Sequence, residues 1–391
     1  MPDVRRQFQV FAKPAGAICN LDCHYCYYLE KEQLFPVDTV FRMSDSVLES
    51  YVVQHIEASP DETVSFSWHG GEPTTLGLDY FRNIVALQRK HCPAGRSIHN
   101  GIQTNGTLLD EAWGRFLAAE CFTVGLSMDG PADLHDPYRV TKGGQPTHAQ
   151  AMRGYDLLVS HGVPCEILCV VHARNVDHPL EVYRFFKQIG AQYMTFLPLV
   201  ERFPDAPEGV GEYTVPAGAF GEFLCAIFDE WKREDIGKVK VQIFEEAART
   251  AFAQQHTLCI FRETCGDVPV VEHNGDFYSC DHYVNAEHRV GNITEAPLVQ
   301  LLEAPAQRVF GQAKLNTLPQ YCLDCEVRAM CNGGCPKNRF IRAPDGEPGL
   351  NYLCAGYKQF FTHCGPFVQQ VAAMWKGNDQ QSVRGQVAQQ P

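Results

Sequence analysis

The sequence predicts an α/β protein in which six βα units form a partial, TIM-like barrel, followed by a smaller cysteine-rich region. Three observations carry this expectation. The first ~200 residues alternate strand-like and helix-like segments, the pattern of a parallel sheet. The loops after the expected strands hold residues suited to chemistry, which is where barrel enzymes place theirs. The 17 cysteines of the 391-residue chain fall mainly into two clusters around a cysteine-poor middle.

Strands are expected over 8–13, 63–68, 97–103, 122–128, 165–171 and 193–197, where β-branched and aromatic residues recur. Helices are expected over 44–56, 79–91, 110–119, 147–161 and 179–189, with Asp79 and Asp110 as N-caps. An open doubly wound sheet fits the same alternation, but the loops favour the barrel. Cys19 to Cys26 follow the first strand, His69-Gly70-Gly71-Glu72-Pro73 the second, Thr104-Asn105-Gly106 the third and Asp129-Gly130-Pro131 the fourth. A Pro- and Gly-rich linker around 203–216 leads into a helix near 217–233. From Cys259 onward the segments are short and rich in Cys and Gly, with little material for a large apolar core, so metal is expected to contribute folding energy. The Gln-rich end reads as a disordered tail. The expected division is a barrel over 1–215, a linking helical segment over 216–258, a cysteine-rich domain over 259–375 and the tail over 376–391.

Charge and cysteine usage narrow the function. Lys and Arg number 33 against 46 Asp and Glu, a net charge of −13, which argues against a nucleic-acid or membrane-surface binder. No apolar run approaches the ~20 residues of a membrane helix, and residues 1–6 lead into mixed sequence rather than a signal-peptide core. A cytoplasmic protein is expected. An odd cysteine count without an export signal fits thiolates that hold metal better than disulfides.

Cys19, Cys23 and Cys26 form a C-x₃-C-x₂-C run. Three thiolates this close can wrap one 4Fe–4S cube, and because such clusters normally take four cysteines, one iron is left open. A zinc knuckle with His24 as fourth ligand is the alternative. The spacing resembles the radical S-adenosylmethionine (SAM) superfamily, in which the open iron chelates SAM. That resemblance implies further SAM contacts. Gly71 and Glu72 lie in Gly70-Gly71-Glu72-Pro73, where glycine admits close backbone approach and a carboxylate can accept from the ammonium of SAM. Tyr25 and Val200 are implied at the adenine, and Ser127 and Arg139 at the ribose and carboxylate.

Cys259, Cys265, Cys280, Cys322, Cys325, Cys331, Cys335 and Cys354 make eight cysteines, the number that two fully ligated 4Fe–4S clusters need. Two Cys₄ zinc sites fit the count equally, and spacing alone does not pair the ligands. The pattern resembles the SPASM domain. By that resemblance Cys259, Cys265, Cys280 and Cys335 hold one auxiliary cluster, and Cys322, Cys325, Cys331 and Cys354 the other. The remaining Cys92, Cys121, Cys165, Cys169, Cys225 and Cys364 read as small buried apolar residues.

Longer stretches narrow the family. Lys13-Pro14, Cys19-Asn20-Leu21, Gly70-Gly71-Glu72-Pro73-Thr74, Gln103-Thr104-Asn105-Gly106-Thr107-Leu108, Val124-Gly125-Leu126-Ser127-Met128-Asp129-Gly130-Pro131, Ile167-Leu168-Cys169-Val170-Val171 and Cys280-Asp281-x-Tyr283-Val284 together resemble the anaerobic sulfatase-maturating enzymes over about residues 8–370. The resemblance implies conversion of an active-site Cys or Ser of a sulfatase into Cα-formylglycine. SAM cleavage at the first cluster yields a 5′-deoxyadenosyl radical that takes a β-hydrogen from the target side chain. Asp281 is implied as the proton acceptor, and Tyr28 and His69 as substrate-side residues, although His69 stands where one branch of the family has Gln. The implied cofactors are SAM and three 4Fe–4S clusters. The implied partners are a sulfatase polypeptide, unfolded or nascent, and a flavodoxin- or ferredoxin-type electron donor, with the enzyme a monomer. Two other readings compete: a thioether- or crosslink-forming peptide maturase of the same architecture, and a zinc-stabilised binding module.

Overall fold

The computed structural model describes residues 7–203, 205 and 209–387. Residues 1–6, part of the expected linker and the last four residues of the expected tail lie outside the described residues. Seven strands follow in order: β1 (Phe11–Lys13), β2 (Thr63–Trp68), β3 (Ser97–Thr104), β4 (Thr123–Ser127), β5 (Cys165–Val171), β6 (Tyr193–Pro198) and β7 (Lys240–Val241). Between and after them run α1 (Asp45–Ala58), α2 (Leu78–His91), α3 (Glu111–Ala119), α4 (Ala132–His135), α5 (His148–Ser160), α6 (Pro179–Gln188), α7 (Ala217–Glu234) and α8 (Gln242–Ala251).

Every neighbouring pair from β1 to β7 is parallel, and the strands stand in sequence order. A doubly wound sheet reverses its order at a switch point. An unbroken order is a barrel wound one way and left open, so the loops after β1 to β5 share one rim. The sequence leads one to expect six strands; β7 is only two residues long and leaves no readable periodicity. β1 begins at Phe11 rather than at residue 8.

Local signals explain the helices. The Ser44 hydroxyl accepts from the Val47 N–H at the start of α1, and the Asp110 carboxylate accepts from the Ala112 and Trp113 N–H groups at the start of α3. Each such cap stabilises by about 1 kcal/mol. Asp79 is not a cap: α2 starts at Leu78 behind Gly77, and Asp79 pairs with Arg82 at 2.7 Å in the first turn. α2 buries Tyr80, Phe81, Ile84 and Val85, and α6 buries Val182, Tyr183 and Phe186, all on the sheet-facing side. Each large side chain so removed from water contributes roughly 1.5–3 kcal/mol before entropy is counted.

The cysteine-rich region differs from expectation. Its strands β8 (Val270–Glu272), β9 (Asp276–Tyr278) and β10 (Arg289–Asn292) join the barrel sheet, which thereby has ten strands in the order β10-β9-β8-β1-β2-β3-β4-β5-β6-β7. β8 lies parallel to β1, with Lys13 opposite Glu272. Phe261, Val271, Phe277, Ile293 and Leu298 are buried in the main core, so the region shares an apolar core instead of lacking one. Then come α9 (Leu298–Leu302), α10 (Pro305–Asn316), α11 (Gln320–Leu323), α12 (Arg328–Cys331), the hairpin β11 (Ile341–Arg342) and β12 (Pro348–Leu350), and α13 (Cys354–Val387).

α13 corrects the expectation of a disordered tail from residue 376, because the helix continues to Val387. Its first half packs on α7 through Phe220 against Tyr357 and Phe228 against Phe360. Gly221 and Gly356 let the two helices approach; a Cβ on Gly356 would stand 2.1 Å from the Ala217 carbonyl oxygen. Of the six cysteines read as core, Cys169 and Cys364 are buried and Cys92, Cys165 and Cys225 half-buried. Cys121 is exposed in a left-handed turn at φ +53°, which is a correction. Among the described residues no helix is long and apolar enough to cross a membrane.

Candidate active site

The loop after β1 is anchored on both sides. The Asp22 and His24 N–H groups donate to the carbonyls of Val140 and Tyr138, and the Asn20 side chain donates to the Thr107 hydroxyl at 2.8 Å. The Asn105 amide reaches both Asn20 and, at 3.8 Å, the Cys19 sulfur. This brings the three cysteines close enough that Cys26 acts electrostatically on both Cys19 and Cys23. Burial lifts Cys19 to about 11 and Cys23 to about 12. Thiols so raised become thiolates opposite positive charge, which an iron–sulfur core supplies, so three half-buried cysteines on one loop fit such a cluster. His24 is exposed, with its ring beside Tyr138 and Tyr213.

The second loop is locked against the first. Gly71 N–H donates to the Gly16 carbonyl and Glu72 N–H to that of Ile18, and a Cβ on Gly71 would lie 2.2 Å from the Ile18 oxygen. Glycine is therefore required for contact between the two loops. Glu72 is 1% exposed. Its Oε1 accepts from the Thr74 N–H (3.0 Å), the Thr74 hydroxyl (2.6 Å) and the Thr104 hydroxyl (2.7 Å), and its Oε2 from the Asn105 N–H (2.7 Å). With both oxygens engaged, Glu72 clamps the second loop to the third, and Oε2, which accepts a single bond, keeps acceptor capacity.

The remaining expected SAM contacts gather around Asp129. Arg139 binds it from two nitrogens, at 2.8 and 3.1 Å, and the buried Tyr25 hydroxyl donates to the same carboxylate. The guanidinium also lowers the pKa of Cys23, which places Arg139 beside the cysteine loop. Ser127 accepts from the Gln103 amide at 3.0 Å and keeps its own proton to donate. Val200 is 1% exposed, so its side chain belongs to the core.

The eight later cysteines form two groups. Cys259, Cys265, Cys280 and Cys335 interact electrostatically with one another, and burial raises each thiol, Cys265 to about 12. Cys322, Cys325, Cys331 and Cys354 line one cavity with Gly333, Leu350 and Asn351. Among the described residues no three His, Cys, Asp or Glu side chains close on a single metal-ion position. Four sulfurs spread around a cavity suit a polynuclear cluster better than a lone zinc, and the grouping is the one that the family resemblance implies.

Between the first loop and the first auxiliary group stands a polar knot. Asp281 follows Cys280; Lys13, 2% exposed at the end of β1, places its Nζ 2.5 Å from the carboxylate. The Tyr27 hydroxyl, next in sequence to Cys26, donates to the other oxygen. Burial alone would raise the pKa of Asp281, but Lys13, His282 and the Tyr27 hydroxyl hold it well below the usual carboxylate range. His69 stacks on Phe11 with ring centres 4.0 Å apart, and burial together with Lys13 pushes its pKa down to about 3, so the imidazole is neutral. Tyr28 is buried, its hydroxyl donates to Glu272 and its ring lies 3.7 Å from the Lys13 Nζ. In this structure it braces the knot through Glu272 and Lys13. Sequence reasoning passed over Lys13, Tyr27 and Glu272. The readable signals were the position of Lys13 at the end of a barrel strand and the adjacency of Tyr27 to a cluster cysteine.

Residues 14–186 match the radical SAM superfamily, and residues 259–326 match the iron-sulfur cluster-binding domain called SPASM. Fold and cysteine sites thus define a radical SAM enzyme with auxiliary iron–sulfur centres. A serine-type anaerobic sulfatase-maturating enzyme of Bacteroides thetaiotaomicron is 42% identical over 372 residues, spanning 92% of this chain and 90% of that one. A cysteine-type enzyme of Clostridium perfringens is 33% identical over 362 residues, spanning 92% and 97%. A solved structure described as native anSMEcpe with bound AdoMet and Cp18Cys peptide matches at a TM-score of 0.85 and 33% identity, covering 93% of this chain and 98% of that one. The chain belongs to the anaerobic sulfatase-maturating enzymes.

Proposed function

We propose that this chain converts an active-site Cys or Ser of a sulfatase polypeptide, unfolded or nascent, into Cα-formylglycine under anaerobic conditions. The observation that supports it most is the Tyr27–Asp281–Lys13 knot. It sets a deprotonated carboxylate between Cys26 of the first loop and Cys280 of the first auxiliary group. When bound, SAM and the clusters supply a hydrogen-abstracting 5′-deoxyadenosyl radical and an acceptor for the second electron.

The protein's own share is aim and proton handling. Gly71, Tyr25, Ser127 and Arg139 are assigned to SAM, with Glu72 holding their loops in register. Asp281 is assigned as the acceptor of the target's thiol or hydroxyl proton. A carboxylate of low pKa is a weak base, but a substrate that has lost its β-hydrogen atom has a far more acidic S–H or O–H. Lys13 and Tyr27 fix the carboxylate in place and keep it unprotonated before the substrate arrives. Neutral His69 is assigned to hydrogen bonding with the substrate main chain. We assign a flavodoxin- or ferredoxin-type donor, a monomeric state and a cytoplasmic location.

The test is mass spectrometry of sulfatase-motif peptides, in Cys and Ser versions, after anaerobic incubation with reconstituted protein, SAM and dithionite. An aldehyde product on either peptide is expected. Deoxyadenosine without aldehyde would overturn the assignment in favour of a thioether- or crosslink-forming maturase.

A further inference from the structure

Two cations lie inside the auxiliary region with no Asp or Glu paired to them among the described residues. Lys314, on α10, is 0% exposed and donates to the carbonyls of Cys259 (2.7 Å) and Ile260 (2.9 Å). Arg339 donates from Nη1 to the carbonyl of Lys314 itself (2.5 Å), from Nε to Gly333 (2.9 Å) and from Nη2 to Asn332 (2.8 Å). Taking the Lys314 ammonium wholly out of water, and the half-buried Arg339 guanidinium partly so, is unfavourable against carbonyls alone. The anionic groups acting most strongly on both are cysteines: Cys265, Cys259 and Cys335 for Lys314, and Cys322, Cys265, Cys331 and Cys335 for Arg339. The Lys314 set belongs wholly to one auxiliary group. The Arg339 set spans both, and the carbonyls it binds, Asn332 and Gly333, lie in the turn between Cys331 of one group and Cys335 of the other.

We propose that Arg339 and Lys314 are built-in counter-cations of the auxiliary clusters, holding them at raised reduction potential and so making them better electron acceptors. The inference rests on the reading of the two cysteine groups as cluster sites. A cluster held by four thiolates carries net negative charge, which grows on reduction, and potentials of such centres follow net charge, hydrogen bonding and exposure. A fixed cation within the same low-dielectric interior therefore favours the reduced form. The carbonyl contacts of Arg339 also hold the turn at Asn332, Gly333 and Gly334, whose φ values of +46°, +70° and +60° are all left-handed. Four carbonyls ask for a fork of N–H donors, and the proximity of two anionic centres gives a reason for that fork to be charged.

The test uses full-length protein in which Cys19, Cys23 and Cys26 are replaced by Ala, so that only auxiliary signals remain. Iron and acid-labile sulfide are counted first, about eight of each being required by two 4Fe–4S clusters; zinc in their place would refute the cluster reading separately. Potentiometric titration followed by electron paramagnetic resonance then reads the midpoints. Arg339→Gln is expected to move both auxiliary midpoints to more negative potential, and Lys314→Gln chiefly the one ligated by Cys259, Cys265, Cys280 and Cys335. Arg339→Lys is expected to leave the midpoints near those of the parent even where it lowers thermal stability. The proposal is overturned by iron-replete Gln variants with unchanged midpoints, or by an Arg339→Lys shift as large as that of Arg339→Gln, which would point to hydrogen bonding instead of charge. Should Arg339→Gln fail to load iron, Lys314→Gln and Arg339→Lys decide by the same criteria.

Discussion

Replacing Glu72 by Gln separates two roles that a carboxylate in this loop can have. The change keeps size and shape but gives one end of the side chain two N–H donors. Oε2 faces the Asn105 N–H and Oε1 faces the Thr74 N–H as well as two hydroxyls. The hydroxyls can rotate to accept; a backbone N–H cannot. Whichever way the amide turns, one buried N–H loses its acceptor. Loss of a charge-assisted bond costs about 1.5–3 kcal/mol, and a stranded buried donor costs about 1–3 kcal/mol more, so a local loss near 3 kcal/mol is expected. At 1.4 kcal/mol per factor of ten, that is about a 100-fold fall in protection. The assay is amide hydrogen exchange on the cluster-free protein, read at Thr74 and Asn105, which reports local opening without assuming two-state unfolding. SAM affinity of the reconstituted variant should fall as a consequence. Unchanged protection at both amides together with lost SAM affinity would refute the clamp and restore direct contact between Glu72 and SAM.

Asp281→Asn should leave deoxyadenosine production intact while aldehyde formation drops by roughly 10²-fold or more, the scale of a lost general base; full turnover in the peptide assay would exclude Asp281 from the proton transfer. Changing Cys19, Cys23 or Cys26 to Ala should remove about four irons per chain and abolish SAM cleavage, which iron analysis and chromatography of deoxyadenosine check together. Gly356→Ala drives a methyl into the Ala217 carbonyl. Overpacking of that kind costs about 1–3 kcal/mol, and with Cys354 only two residues away it should lower loading of the second auxiliary site while sparing the first.

The barrel was legible because its strands are long enough to show β-rich runs and its loops carry chemistry in order. β5 begins and ends where composition places it, at Cys165 and Val171, and Asp110 caps α3 as its position suggests. The cysteine groups were legible through resemblance, since spacing alone does not say that Cys335 joins Cys259 rather than Cys322. What escaped was tertiary. β8 and β9 have three residues each and acquire meaning only beside β1. The Asp281 knot joins Lys13, Tyr27 and Asp281 across more than 250 positions. The polar tail became helix because α13 extends a packed first half, a continuity that local composition does not display. The clamp made by Glu72 escaped for a related reason: its partners Thr104 and Asn105 lie on another loop.

The seating of β8 on β1 also limits how this chain can be cut or recombined. Excision of residues 259–391 would not release a free-standing module. Its three strands would lose the parallel neighbour that covers β8, and an uncovered strand edge invites pairing with other chains. The barrel alone would present the matching edge of β1, just before its cysteine loop. Gene fusions or fragment expression that treat the two halves as beads on a string should therefore give aggregates, whereas co-expressed halves can re-form the ladder with each other. The seam is a backbone ladder rather than a hinge, so the strand that leads into the first cysteine loop and the strand that follows Cys265 are held in one sheet.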